Sequence, residues 1–250
     1  MVVFALLFCI IVGNAQQTVA DSLFKNEIKN KDLPFHYTAL IVPTILIGYG
    51  VIGLGSDQLI FFNSELKVEV NEHIDKKVTV DDFSQYAPAA SVYALHLAGV
   101  KGKHNLQDST IILATSFTVM AVTVMALKHI VKEERPDRTS NNSFPSGHTA
   151  TAFAGAELVY QEYKDVSVWY GISGYVVATA TGLFRIYNNR HWLTDVAAGA
   201  GIGLLSTKLA YWINPYLKSK FKFLNSTKTT AMFTPYYDGK KAGIGFAMSF

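Results

Sequence analysis

The chain has 250 residues, half of them apolar, with 16% charged and a net charge of +3. A charged share this far below the quarter usual in soluble domains places it toward the membrane class. The weak, dispersed positive charge, with no basic stripe interleaved with aromatics, argues against nucleic acid as a partner. A single cysteine excludes a disulfide framework.

Residues 2–12 (VVFALLFCIIV) are apolar and hold Cys9, and Gly13, Asn14 and Ala15 follow. Small residues stand where a signal peptidase reads, so 1–15 is expected to be a secretory signal cleaved after Ala15, although no basic residue precedes its apolar core. Leu7 and Phe8 are not the small residues that precede a lipidated cysteine. A polar segment, 16–36, comes next.

Residues 38–54, 109–127 and 166–184 are uncharged runs of 17, 19 and 19 residues, each near the ~20 that a bilayer span needs. Weaker apolar runs at 87–100, 148–160 and 191–213 contain His96, Glu157, and Asp195 with Lys208. The expectation is an all-α, six-helix bundle over 37–215, largely transmembrane. A buried bundle in a soluble protein is the alternative, since the weaker runs are too short or too charged to span cleanly. Gly199 and Gly203 form a small-xxx-small pair suited to close helix packing. Residues 55–86 read as a polar, solvated insert in which 66–70 alternates apolar and polar. The tail, 216–250, changes period: AMFTPYY and AGIGFAMSF flank Asp238, Gly239 and Lys240, a hairpin signal. Its aromatic content and terminal Phe250 hint at an outer-membrane strand pair, but two strands cannot close a barrel.

The chemistry-bearing residues sit at the ends of the apolar runs. Lys128 is the first charge after the third run, Arg135 follows two helical turns later, and Pro136 stops the helix. Pro145, Ser146, Gly147 and His148 open the fourth run, where free N–H groups and a partial positive field favour anions. Arg185 closes the fifth run. His191 opens the sixth, with Asp195 four residues on and on the same face. In an up-down bundle these four ends fall on one side. Three cations and helix-start N–H groups suit a phosphate, whose transition state spreads charge over its equatorial oxygens. His191 with Asp195 reads as a nucleophile and its orienter, and His148 as the acid for the leaving alkoxide. Singly, each has a plainer reading: Lys128 and Arg135 as interfacial anchors, either histidine as structural, His191 with Asp195 as half a metal site. No third and fourth metal ligands stand nearby, so no metal is expected.

In order and spacing these residues resemble the type 2 phosphatidic acid phosphatase superfamily, which includes bacterial lipid phosphatases, class A acid phosphatases and vanadium haloperoxidases. Its pattern is K-x6-RP, PSGH and SR-x5-H-x3-D. Lys128, Arg135 and Pro136 match the first part, 145–148 the second, and Arg185, His191 and Asp195 the third, over about 85–213. Phe184 stands where the family has a serine. The resemblance implies a metal-free, two-step phosphatase. His191 forms a phosphohistidine, Asp195 orients it, and His148 protonates the leaving group. Lys128, Arg135, Ser146, Gly147 and Arg185 hold the phosphate. No cofactor is implied, and vanadate is the expected inhibitor.

The membrane-type branch implies a lipid phosphate substrate: phosphatidate, phosphatidylglycerol phosphate, undecaprenyl pyrophosphate or a lipid A phosphate. Protein partners are not indicated. Alternatives are a soluble periplasmic acid phosphatase acting on small esters, a vanadium haloperoxidase, and a non-catalytic phosphate-binding membrane protein. The expected location is an exported, membrane-associated protein, in the inner rather than the outer membrane, with its site facing the periplasm. One count conflicts with this. A cleaved signal and six spans put the site in the cytoplasm, whereas the lysines at 101, 103, 164, 218, 220 and 222 lie opposite the site and belong on the cytoplasmic side. Either 2–13 is retained or a weak run, 87–100 first, does not cross.

Overall fold

The first apolar run enters the fold through a 3₁₀ turn, Tyr37–Leu40, and continues as α1, Ile41–Gly53. The computed structural model describes residues 36–72, 79–224, 230–237 and 242–249. The expected signal segment with Cys9, nearly all of 16–36, the tail turn at Asp238, Gly239 and Lys240, and Phe250 lie outside the described residues.

After α1 the chain bends by 91° into a second helix. This is α2, Asp57–Asn71. It begins because Ser56 Oγ accepts the Leu59 N–H at 3.5 Å and Asp57 adds a negative charge to the first turn. The expected insert is therefore helical over α2 rather than an alternating stretch at 66–70, while Asp57, Glu65 and Glu69 are exposed as expected. Apolar residues at every second position over five residues suit either structure, and the cap plus helix-favouring Gln58, Leu59, Glu65, Leu66 and Lys67 decide it. Two polar side chains of α2 reach into the protein. Asn63 Nδ2 donates to Thr194 Oγ1 at 2.9 Å, and Lys67 Nζ donates to the Pro136 carbonyl at 2.7 Å. Phe61, Phe62 and Val68 face outward.

A one-turn helix, α3 (Val80–Ser84), leads to α4, Ala87–Leu97, which starts with Pro88 in its first turn. Then come α5, Leu106–Val131; α6, Gly147–Tyr163; α7, Val168–Tyr187; and α8, Leu193–Leu224. The six-helix expectation becomes eight α-helices among the described residues, because 55–86 supplies two. The expectation of six spans changes as well. Among the described residues, only α5 and α8 (over Leu193–Lys218) are long and apolar enough to cross a membrane, with the bent α1–α2 pair a third if it counts as one span. At ~1.5 Å per residue, α4 rises roughly 16 Å, about half of a ~30 Å hydrocarbon layer.

The centre of the bundle is α6, with Ala150, Ala152, Ala154, Ala156, Leu158 and Val159 all buried. A helix enclosed on every side must carry small or apolar residues all round. On α8, Gly199 and Gly203 let the backbones approach. A Cβ at Gly199 would lie 2.4 Å from the Ser146 carbonyl oxygen, and one at Gly203 would lie 2.3 Å from that of Ala150. The expected small-residue seam is thus where α8 meets α6.

Away from the α6 N-terminus, buried carboxylates are fully paired. Glu162 accepts His104 N and Nδ1, each at 2.8 Å, and Tyr211 Oη at 2.5 Å. Glu157 takes Lys208 Nζ at 2.6 Å, Gln161 Nε2 at 2.7 Å and the Tyr175 hydroxyl. In the tail, β1 (Thr230–Tyr237) and β2 (Ala242–Ser249) pair antiparallel, with Thr230 opposite Ser249.

Gly203→Val should destabilise the fold by about 1–3 kcal/mol through overpacking. Gly48, whose Cβ would meet nothing within 4 Å, should accept alanine without loss. Thermal unfolding of both variants in detergent checks the contrast.

Candidate active site

Four helix ends converge at one end of the bundle: the C-termini of α5 and α7 and the N-termini of α6 and α8. Two hydrogen bonds tie three of them. Ser146 N–H donates to the Asp195 carbonyl at 3.0 Å, and Lys128 Nζ donates to the Ser143 carbonyl at 3.2 Å. Lys128 also donates to the Asn142 carbonyl. Residue Lys132, in the left-handed region at φ 52°, ends α5 and starts the connecting loop. Within that loop Arg135 Nε and Ser140 Oγ both donate to Asn142 Oδ1, at 2.9 and 2.8 Å.

His191 is 3% exposed. Its Nδ1 lies 3.5 Å from Asp195 Oδ2, long for a hydrogen bond, and 3.5 Å from Ser143 Oγ. Ser143 Oγ itself donates to Asp195 Oδ2 at 2.5 Å, and Trp192 N–H donates to the same oxygen at 2.9 Å. Burial pushes His191 down to about 4 against the pull of Asp195, so its ring is neutral at neutral pH, as a nucleophile requires.

Beside these lies an open cleft of about 310 Å³, lined by Asp81, Asp82, Arg135, His148, Arg185 and Arg190 among others. Arg185 is buried, and Nη1 binds Asp81 Oδ2, while Asn188 Nδ2 donates to Asp81 Oδ1 at 2.9 Å. Arg185 Nε is buried with no partner among the described residues. His148 Nε2 sits 3.0 Å from Asp82 Oδ1. Arg190 Nη1 donates to Asp137 Oδ2 at 3.1 Å. Partial burial and the nearby guanidinium groups of Arg185 and Arg190 lower the Arg135 pKa against the pull of Asp137 and Asp195.

The structure brings together Lys128, Arg135, Ser146, Gly147, His148, Arg185, His191 and Asp195 at these helix ends. Three details refine the sequence reading. Lys128 and His191 do not line the open cleft. The Ser146 N–H donates to the Asp195 carbonyl, and its hydroxyl caps α6 through Thr149 N at 3.5 Å. Phe184 stacks edge-on against Tyr187 at 6.2 Å and supplies no hydroxyl beside Arg185. Sequence reasoning missed Asp81, Asp82, Asn188 and Ser143. The acidic pair lay inside an insert read as solvated, and its partner Arg185 is 104 residues away. Ser143, two residues before Pro145, carried no motif signal.

Residues 109–219 match the family model of the PAP2 superfamily. The chain is 43% identical over 136 residues to a lipid A 1-phosphatase of Porphyromonas gingivalis, a match covering 54% of this chain and 31% of that protein. It is 39% identical over 77 residues to the bacitracin transport permease protein BcrC of Bacillus licheniformis, covering 31% of this chain and 36% of that protein. The chain therefore spans about a third of the length of these curated relatives. Among solved structures it is similar to LpxE of Aquifex aeolicus, with a TM-score of 0.44 and 23% identity over 60% of this chain and 94% of that one. It is also similar to the transmembrane PAP2 type phosphatidylglycerolphosphate phosphatase of Bacillus subtilis, with a TM-score of 0.49 and 18% identity over 75% and 99%.

Asp81→Ala should cost roughly 3–5 kcal/mol, since it leaves Arg185 buried and unpaired. Asp82→Ala, at an exposed position, should cost far less. For His191 the sign runs toward acid. Its folded value lies below the ordinary 6.5, so the unfolded chain takes the proton first, and stability present above about 6.5 is lost as pH falls toward 4. Unfolding midpoints between pH 4 and 7, with His191→Gln showing a shallower loss, check this.

Proposed function

The chain carries a PAP2 superfamily domain over residues 109–219, and from that premise we propose that it hydrolyses a lipid phosphate ester with His191 as nucleophile. The observation that carries this reading is the convergence of Lys128, Arg135, Arg185, His148 and the His191–Asp195 pair on one end of the bundle, with the buried Arg185 Nε still lacking an acceptor. A phosphoryl oxygen would supply that acceptor and offset the crowded guanidinium groups.

The steps follow from the chemistry of these groups. Arg135 and Arg185, with Lys128 behind them, hold the equatorial phosphoryl oxygens. Neutral His191 attacks phosphorus through Nε2 while its Nδ1–H is held by Asp195, giving a phosphohistidine. His148 donates its proton to the leaving alkoxide, then takes a proton from the water that cleaves the P–N bond and regenerates His191. The positive side chains stabilise charge that grows in the transition state, with no metal needed for that task.

A membrane substrate fits the outer surface. Ile45, Ile52, Val122, Met125, Trp169, Val176 and Leu183 are all exposed, more apolar surface than a soluble acid phosphatase would leave bare. The name of the Porphyromonas relative puts lipid A 1-phosphate first among the candidates, ahead of phosphatidate, phosphatidylglycerol phosphate and undecaprenyl pyrophosphate. The lysines at 101, 103 and 164 lie at the end of the bundle opposite the site, and a cytoplasmic place for them puts the site on the periplasmic face of the inner membrane.

Phosphate release by the detergent-purified protein from lipid A, phosphatidate, phosphatidylglycerol phosphate, undecaprenyl pyrophosphate and p-nitrophenyl phosphate is the test. One lipid should be preferred, His191→Ala should lose both turnover and an acid-labile phosphoenzyme, vanadate should inhibit, and EDTA should have no effect. Full activity in His191→Ala would sink the reading. Turnover of the small ester alone would move it to a soluble-type acid phosphatase.

A further inference from the structure

Two buried carboxylate oxygens at the site end face no donor. Asp195 Oδ2 is doubly bonded, by Ser143 Oγ and Trp192 N–H, but Asp195 Oδ1 has no partner among the described residues, and neither does Glu133 Oε2. The two carboxyl groups are neighbours, each acting on the other. Two ionised carboxylates cannot keep that arrangement, because both accept, neither donates, and their charges repel. A single proton between them satisfies both orphaned atoms. It belongs on Glu133, since Asp195 already receives two donors that favour its anion.

We propose that Glu133 is a neutral positioning residue whose carboxyl O–H, on Oε2, donates to Asp195 Oδ1 and holds Asp195 toward His191. The backbone is built for this. Lys132 ends α5 in the left-handed conformation, and the next residue, Glu133, is pinned by its carbonyl accepting the Ser143 N–H at 3.0 Å. The residue that ties down Glu133 is thus the one whose hydroxyl binds the other oxygen of Asp195. With His191 and Asp195 only 3.5 Å apart and Ser143 competing for Oδ2, a second anchor on Oδ1 limits how far the carboxylate can rotate away.

Burial and the Asp195 charge push Glu133 up to about 9. The charged groups around it are Asp195 from α8, Lys128 from α5 and His191 just before α8, with Arg185 of α7 and Arg135 of the loop beyond Lys128. The folded value lies above the ordinary 4.5, so the neutral carboxyl stabilises the fold fully below about 4.5, and this contribution drains away as pH rises to about 9.

The role in turnover rests on the His191 reading, but the proton bridge does not, and two measurements separate them. In thermal unfolding of the full-length protein between pH 5 and pH 9, wild type should lose stability with rising pH more steeply than Glu133→Gln, by up to about tenfold in folding constant per pH unit. Lys128 is present in both, so the difference isolates Glu133. Equal slopes would overturn the proposal even in a protein that showed no turnover. In phosphate release at pH 7, Glu133→Gln, which keeps a donor, should stay within about threefold of wild type, while Glu133→Ala should fall roughly 10- to 100-fold. Equal activity in the two variants, high or low, would overturn the positioning role. Should Glu133→Ala fail to fold, a large loss in Glu133→Gln would overturn it instead.

Discussion

The backbone-to-backbone seam between α6 and α8 is the constraint on which the site depends. Gly199 and Gly203 bring α8 so near α6 that one added carbon would strike the carbonyls of Ser146 and Ala150. The same seam puts the Asp195 carbonyl in reach of the Ser146 N–H. One approach distance therefore sets the position of His148, the second residue of α6, against His191 and Asp195 at the start of α8. Side-chain packing could hold this separation only to within a rotamer, whereas backbone contact admits no such slack.

The two ends of the bundle treat buried charge differently. At one end, Glu157 and Glu162 are saturated with donors from histidine, lysine, glutamine and tyrosine, the arrangement expected of buried groups whose task is to stay put. At the other, Arg185 Nε, Asp195 Oδ1 and Glu133 Oε2 are left over. An unsatisfied buried atom of an ionisable group is costly to a fold, so three from arginine, aspartate and glutamate at one end mark a place where stability is traded for something else. Asp81 limits that cost by binding Arg185 from a helix of a single turn.

Much of this was legible in the sequence because the informative spacings are local. Lys128 to Arg135, Pro145 to His148 and His191 to Asp195 are each at most seven residues apart, although α5 ends before Arg135, and placing them at the ends of apolar runs was enough to bring them to one side. What stayed hidden depended on contacts across the chain. Asp81 and Asp82 looked like solvated charges because nothing local ties them to Arg185 or His148. The helical nature of α2 was masked by a five-residue alternation, and its one inward charge, Lys67 on the Pro136 carbonyl, by a partner 69 residues away. Glu133 sits between two motif residues, where its charge read as one more acid in a polar turn.

The length of α8 has a consequence for where the rest of the protein works. Its 32 residues rise roughly 48 Å, well beyond a ~30 Å hydrocarbon layer. With Asp195 in its first turn held at one membrane surface, a crossing α8 delivers everything after Leu224 to the other compartment. The aromatic strands β1 and β2 and the phosphate chemistry are then separated by the bilayer itself. On a crossing α8, an outer-membrane role for the tail and a periplasmic site therefore exclude each other.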